Sequence, residues 1–235
     1  MSVRTDRLIL EGEPEIEVRL RRHARARRLS LRVSRLDGRV TLTLPHRVQL
    51  EAAARFLAEQ GDWVRGHVGD RRPPPALRIG GSVPVEGVAR PLIALPAGQR
   101  RPALTDQGVV LRPDQPAGPQ LVGLLRVMAR DRLARAAEGH ACTLNQRIAR
   151  ISLRDTRSRW GSCTSDGRLM FSWRLIMAPP EILDYVAAHE VAHLVEMNHS
   201  PAFWRVVAGI CPGYRAHRAW LRQHGAGLHA HRFAA

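Results

Sequence analysis

The chain contains no lysine: all 37 of its basic residues are arginine. It contains no apolar run approaching the roughly 18 residues that a membrane-spanning helix needs, so a membrane span is excluded. Its first residues, MSVRTDRLILEGEPEIEV, lack the apolar stretch of a secretory signal, and a cytoplasmic location is expected. Cysteine is scarce, at three residues: Cys142, Cys163 and Cys211. An odd number of widely spaced cysteines makes neither a CxxC metal pair nor a disulfide framework, which fits a reducing compartment.

What is abundant is positive charge. The 37 arginines against 21 acidic residues leave a formal +16 over 235 residues. A coding bias towards arginine, alanine, glycine and proline accounts for part of this. The remainder invites an acidic partner such as nucleic acid. The charge is concentrated early: VRLRRHARARRLSLRVSR, Val18 to Arg35, holds eight arginines. Arg21, Arg22, Arg25, Arg27 and Arg28 are therefore candidate phosphate contacts.

Around this cluster the chain reads as strand-rich. LSLRVSRLDGRVTLTLP alternates apolar and polar residues on both sides of Asp37–Gly38, the pattern of a β-hairpin. QLEAAARFLAEQGDWV has helical spacing and reads as one amphipathic helix. Arg71 to Pro75 is a breaker, and short β-like runs come after it from Ile79 to Val110. RPDQPAGPQ, residues 112–120, looks like a linker. The expected division is thus a β-rich N-terminal region, 1–112, and a second domain, 113–235. The second half reads as a long helix (120–147), two strands (RISLRDTRSRW and RLMFSWRLIMA), a helix opened by Pro179 and Pro180, and another capped by Ser200 and Pro201. The fold class is α+β. A final run of His217, His224, His229 and His231 reads as a solvated tail.

The sharpest signal is HEVAHLVEMNH, His189 to His199. In a helix of about 100° per residue, His189 and His193 lie about 40° apart and one turn along, so both imidazoles can reach one metal ion. Glu190 is offset by one residue and can approach a metal-bound water without ligating the metal. On a continuous helix His199 would lie about 15 Å along the axis from His189 and could not join. The chain must therefore turn between Val195 and Ser200, where Asn198 tolerates a helix-ending conformation and Ser200–Pro201 starts a new helix. His and Glu each occur 11 times, so the HExxH positions alone give about 0.02 chance matches in this length, and His199 in addition about 0.001. Glu196, two turns along the same helix face, is a rival third ligand. His199 is preferred because the helix break gives it a route back. Cys163 is a rival fourth ligand that would silence the site.

HEVAHLVEMNHSPAFW, together with RSRWGSCTSDGRLMFSWRLIMAPPEILDYVAAHE upstream, resembles the YgjP-like metallopeptidases, relatives of the SprT-like and Wss-type metalloproteases. The resemblance is dense from Arg157 to Trp204 and looser upstream, where the family also has an arginine-rich hairpin and a helix ending in tryptophan, here Trp63. Ser172 departs from it, standing where the family commonly has asparagine. The spacing of the histidines is also that of metzincins, but Glu196 replaces their glycine. The resemblance implies a zincin-like half with its HExxH helix packed on a small sheet, one zinc per chain on His189, His193 and His199, and Glu190 as general base. It points to a zinc-dependent peptidase with a peptide or protein substrate. Arg159, Trp160, Arg174 and Tyr185 are candidate substrate-binding residues, although for Trp160 and Cys163 taken singly a core position, and for Gly161 a bend, is the favoured reading. Two other functions stay open: a zinc hydrolase of nucleotides or other phosphate-bearing substrates, and a DNA-associated protein whose zinc is structural or whose protease acts beside DNA.

Overall fold

A computed structural model of the chain describes residues 7–34, 38–68, 77–96 and 101–233. Asp37 of the expected hairpin turn, and the Arg71 to Pro75 breaker, lie outside them. Two compact units emerge, Met1–Pro73 and Pro74–Ala235.

The first unit is a four-stranded sheet with two helices: β1 (Arg7–Leu10), β2 (Ile16–Arg22), β3 (Ser30–Val33), β4 (Val40–Leu44), α1 (Leu50–Glu59) and α2 (Gly61–Val68). The strand order is β1-β2-β4-β3, and β3 pairs antiparallel with β4 from Ser30↔Thr43 to Val33↔Val40, as the alternating pattern predicts. Period-two alternation gives the sheet two faces. Val18, Val40, Leu42 and Leu44 are buried with Ala53, Leu57 and Val64 of the helices. The opposite face carries Arg19, Thr41 and Arg32 in one register row. The single helix expected from QLEAAARFLAEQGDWV is two, with Gln60 between them.

The second unit begins with a sheet of order β5-β6-β8-β7: β5 (Ser82–Val85), β6 (Val88–Ala94), β7 (Ala103–Thr105) and β8 (Gly108–Leu111). Then come α3 (Ala117–Thr143), a three-stranded sheet of β9 (Arg150–Arg154), β10 (Gly161–Cys163) and β11 (Arg168–Ser172), a 3-10 turn (Trp173–Met177), α4 (Pro180–Ala192), α5 (Pro201–Ile210) and α6 (Tyr214–Ala230). The boundary expected at residue 112 falls inside this unit. Val83, Val85, Leu92, Val109 and Leu111 share one core with Leu121, Leu125 and the α4 residues. The stretch expected to be a linker is a tied turn: Gln120 accepts from the backbone N–H of Arg112 at 2.8 Å and donates to the carbonyls of Arg112, Gln115 and Pro116.

α3 explains how one helix serves both sheets. Leu121, Leu125, Ala129, Leu133, Ala137 and Ala141 are buried at strict four-residue intervals. Four residues turn about 400°, so the apolar stripe advances about 40° per step and winds about 200° round the helix. It meets β8 near its start, and β9, the 3-10 turn and α4 further along. The hairpin tip Glu86–Gly87, with φ of 50° and 79°, donates its two N–H groups to the carbonyls of Ile176 and Met177. That docking fixes the segment from which α4 springs.

The C-terminal histidines are not a solvated tail. α6 runs to Ala230, and Arg174, expected to touch substrate, instead holds the end of α6 and the residues after it in place. The Arg174 side chain is buried and bidentate to Asp155, at 2.6 and 3.1 Å. Its remaining nitrogen donates to the carbonyls of Leu228 and His231, each at 3.0 Å, and the guanidinium packs over Trp173 and Phe233. Burial pushes the Asp155 carboxyl up, but the hydrogen bonds and charge of Arg174 outweigh it and hold the carboxyl below its ordinary value. With every donor group engaged, Arg174 is a structural clasp and not a substrate contact. Arg174→Met should destabilise the unit by about 2–4 kcal/mol, mostly through the two carbonyls left without a charged donor, the half-exposed Asp155 adding little. Thermal melting should show a fall of roughly 5–15 °C, with Arg174→Lys recovering part of it, and an unchanged melt would refute the clasp.

Candidate metal centre

α4 is apolar nearly all the way round. Ile182, Leu183, Val186, Ala187, Ala188, Val191 and Ala192 are all buried, which is the pattern of a helix enclosed by the fold rather than laid on its surface. The packing is close on two sides because the residues there are small. A Cβ on Gly161 would come within 2.5 Å of Oε1 of Glu190. Gly161 is therefore in β10 to make room for that carboxyl, and not to bend the strand: its φ is not in the left-handed region. Glu190 is 6% exposed, and burial raises its carboxyl to about 8 against the lowering effect of Arg159.

The helix stops earlier than its sequence pattern suggests. Its last residue is Ala192 and His193 is the C-cap. Two turn-like hydrogen bonds, Leu194 N–H to Val191 and Val195 N–H to Ala192, tighten the end. The chain then reverses. Asn198 Oδ1 accepts from the Ser200 N–H at 2.9 Å, and Ser200 Oγ accepts from the Phe203 N–H at 3.4 Å to cap α5. This returns His199 to the end of α4. Its Nε2 lies 3.0 Å from Nε2 of His189. One potential ligand atom from each of His189, His193 and His199 lies within 4.8 Å of the other two. Nitrogens at 2.0–2.1 Å around a tetrahedral ion sit about 3.4 Å apart, so the three rings suit such an ion.

The protonation states fit as well. His193 Nδ1 is 2.9 Å from the Glu196 carbonyl, which can only accept, so Nδ1 carries the proton and Nε2 is free to ligate. Burial, then the nearby His193, His199 and Arg218, push the His189 imidazole down to about 3. Burial also lowers His193. Neutral rings are what a metal requires. His189 Nδ1 is buried without a hydrogen-bond partner among the described residues.

The rival ligands separate from the cluster. Glu196 contributes its backbone carbonyl, and its carboxylate is outside the group. The Cys163 thiol is raised to about 11, first by burial and then by the charge of Glu190, and stays protonated; it too is outside the group. Of the expected substrate contacts, Tyr185 is buried with its ring 6.1 Å from His189, and burial raises its hydroxyl to about 12. Arg159 is exposed and its charge reaches Glu190. Trp160 packs, tilted by 34°, against His229 of α6 at 4.7 Å between ring centroids. Trp204 and Arg218 were not anticipated. Trp204 stands 5.7 Å from His189, and Arg218 4.8 Å from Trp204. Both come from helices beyond the motif, and no local spacing marks them. A separate cavity of about 270 Å³, lined by Glu86, Arg132, Ile176 and Leu183 among others, contains none of the three histidines.

In the first unit, one nitrogen of Arg22, Nη1, is held by the carbonyls of Pro45, His46 and Val48, and the side chain stays exposed. Arg21, Arg25, Arg27 and Arg28 are exposed.

A buried helix presenting two histidines, with a third folded back from the following turn, makes a group that could hold one metal ion, with a carboxyl close by. The YgjP-like metallopeptidase domain matches residues 27–224, and the chain belongs to that family. None of the curated proteins matches. Among solved structures, the crystal structure of the metallopeptidase zymogen of Pyrococcus abyssi abylysin is similar at 23% identity, covering 40% of this chain and 92% of that one, with a TM-score of 0.35. That likeness is too slight to inform the geometry.

The purified protein should hold about one divalent metal ion per chain. His199→Ala should lose most of it, whereas Glu196→Ala, which keeps the backbone carbonyl, should not. Elemental analysis giving the opposite pattern would transfer the third ligand to Glu196.

Proposed function

We propose that the protein is a zinc-dependent peptidase in which His189, His193 and His199 hold the ion and Glu190 is the general base. The observation that carries this reading is the burial of Glu190 against Gly161, one residue from a ligand. A site that only braced the fold would gain nothing from enclosing a carboxyl there, because burying an unpaired carboxylate is costly. Held by three neutral imidazoles, zinc would supply an undiminished positive charge that acidifies water. Glu190 accepts a proton from the attacking water, holds it in its enclosed position and delivers it to the leaving amine. Gly161 leaves the room that the carboxyl occupies beside β10. β10, next to Glu190, pairs only with β11 in its sheet, so its other edge could align an extended peptide. Zinc as the ion is supported by the nitrogen-only ligand set and the family. Glu190→Gln should retain zinc and lose about 10²–10⁴-fold in peptide hydrolysis, because the amide cannot take the proton. Turnover near the parent's would remove Glu190 from the mechanism.

A second reading concerns the first unit. Its outward sheet face sets Arg19 and Arg32 on either side of Thr41, with Arg21 next to Thr43 in the adjacent row. Exposed arginines interleaved with hydroxyls suit a phosphate backbone. The face shares Arg21 with the expected cluster and adds Arg19 and Arg32. Replacing Arg19, Arg21 and Arg32 with glutamine should weaken DNA binding and reduce the slope of log affinity against log salt by about 2–3. An unchanged slope would reduce the face to solvated charge.

A further inference from the structure

The cations beside the metal centre are unexplained by the motif. Arg218, on α6, places its guanidinium 4.8 Å from the centroid of the Trp204 indole. Trp204 in turn stands 5.7 Å from the ring of His189 and 5.9 Å from that of His199. The indole is held by a near-parallel stack on Tyr214 at 5.3 Å, so the guanidinium rests on a fixed platform. Its charge bears on both His189 and Tyr185. Arg159 comes in from the β10 side, two residues before Gly161, and bears on Glu190. Among the described residues, neither arginine forms an ion pair with an acidic side chain. Arg174, in the 3-10 turn after β11, shows what a structural arginine looks like here: each guanidinium nitrogen is engaged.

The guanidinium of Arg218 touches the indole and not an imidazole, so it stands one side chain removed from the ligating nitrogens. That is the reach of a neighbouring substrate residue, not of the carbonyl under attack. Arginine offers a planar fork matched to a carboxylate, and its stacked face leaves the donor edge free.

We infer that Arg218 is a specificity-determining residue that binds a carboxylate on the substrate beside the scissile bond, so that the site selects acidic peptides. This rests on the peptidase reading for its context but is separable from it by binding. The test uses the full-length, zinc-loaded Glu190→Gln protein and two fluorescein-labelled decapeptide pools, identical except that the two central positions are Glu in one and Gln in the other. Fluorescence anisotropy should show the Glu pool binding about tenfold tighter, the scale of one charge-assisted contact. The advantage should shrink between about 0.05 and 0.5 M salt, since the pair is exposed to screening. In the same background Arg218→Gln should erase the preference, Arg218→Lys keep part of it, and Arg218→Glu reverse it, a pattern that loss of packing on Trp204 would not produce. Equal binding of the two pools, or a preference that survives Arg218→Gln, overturns the inference. The active parent decides the other question: hydrolysis of both pools without a binding preference upholds the peptidase and sinks this inference. A binding preference without hydrolysis of either pool does the reverse.

Discussion

The hydrogen bond from His193 Nδ1 to the Glu196 carbonyl, 2.9 Å long, is the contact on which the centre depends. It ties the last ring of the helix to the turn beyond it. The same turn that orients His193 returns His199 to the helix end, so the second and third candidate ligands are set by one piece of backbone. The alternative use of Glu196, as a carboxylate ligand, would need the helix to run on. It stops at Ala192, and the Glu196 carbonyl freed by the reversal becomes the partner of His193.

Around that contact the fold supplies enclosure. α4 is surrounded by α3, α5, α6, the 3-10 turn and β10. Its alanines, and Gly161 across from Glu190, let those neighbours close in. Enclosure lowers His189 and raises Glu190 for one reason: the loss of solvent around a charge favours the neutral form of each. The Arg174 clasp locks the end of α6 and the residue after it. α6 in turn carries Arg218 to the rim and lays His229 on Trp160.

Legibility tracked the range of interaction. The hairpin of β3 and β4, the cap of α5 by Ser200 and Pro201, and the need for a reversal before His199 were readable because each depends on a few adjacent residues. The division of the chain was not. Residues 112–120 have the composition of a linker, yet Gln120 ties the turn and the winding stripe of α3 fuses the sheet before it to the helices after it. A stripe with a four-residue period gives a weak helical-face signal, since its direction drifts along the helix. The last of the final histidines were misread for a related reason: the segment from Leu228 to His231 is held by Arg174, more than fifty residues upstream.

The sequence by itself determined the chemistry on offer. Two histidines one turn apart, a glutamate between them and a third histidine beyond a helix stop mark a candidate metal site by local pattern alone, since helix periodicity and capping act over a handful of residues. Only the tertiary structure decided what surrounds that chemistry. Gly161 as the space for Glu190, Arg174 as clasp instead of substrate contact, Trp160 turned onto α6, and Arg218 at the rim all join elements distant in the chain. Such pairings are settled by how buried surfaces pack, and one chain's local pattern carries no record of which distant side chain fills a given space.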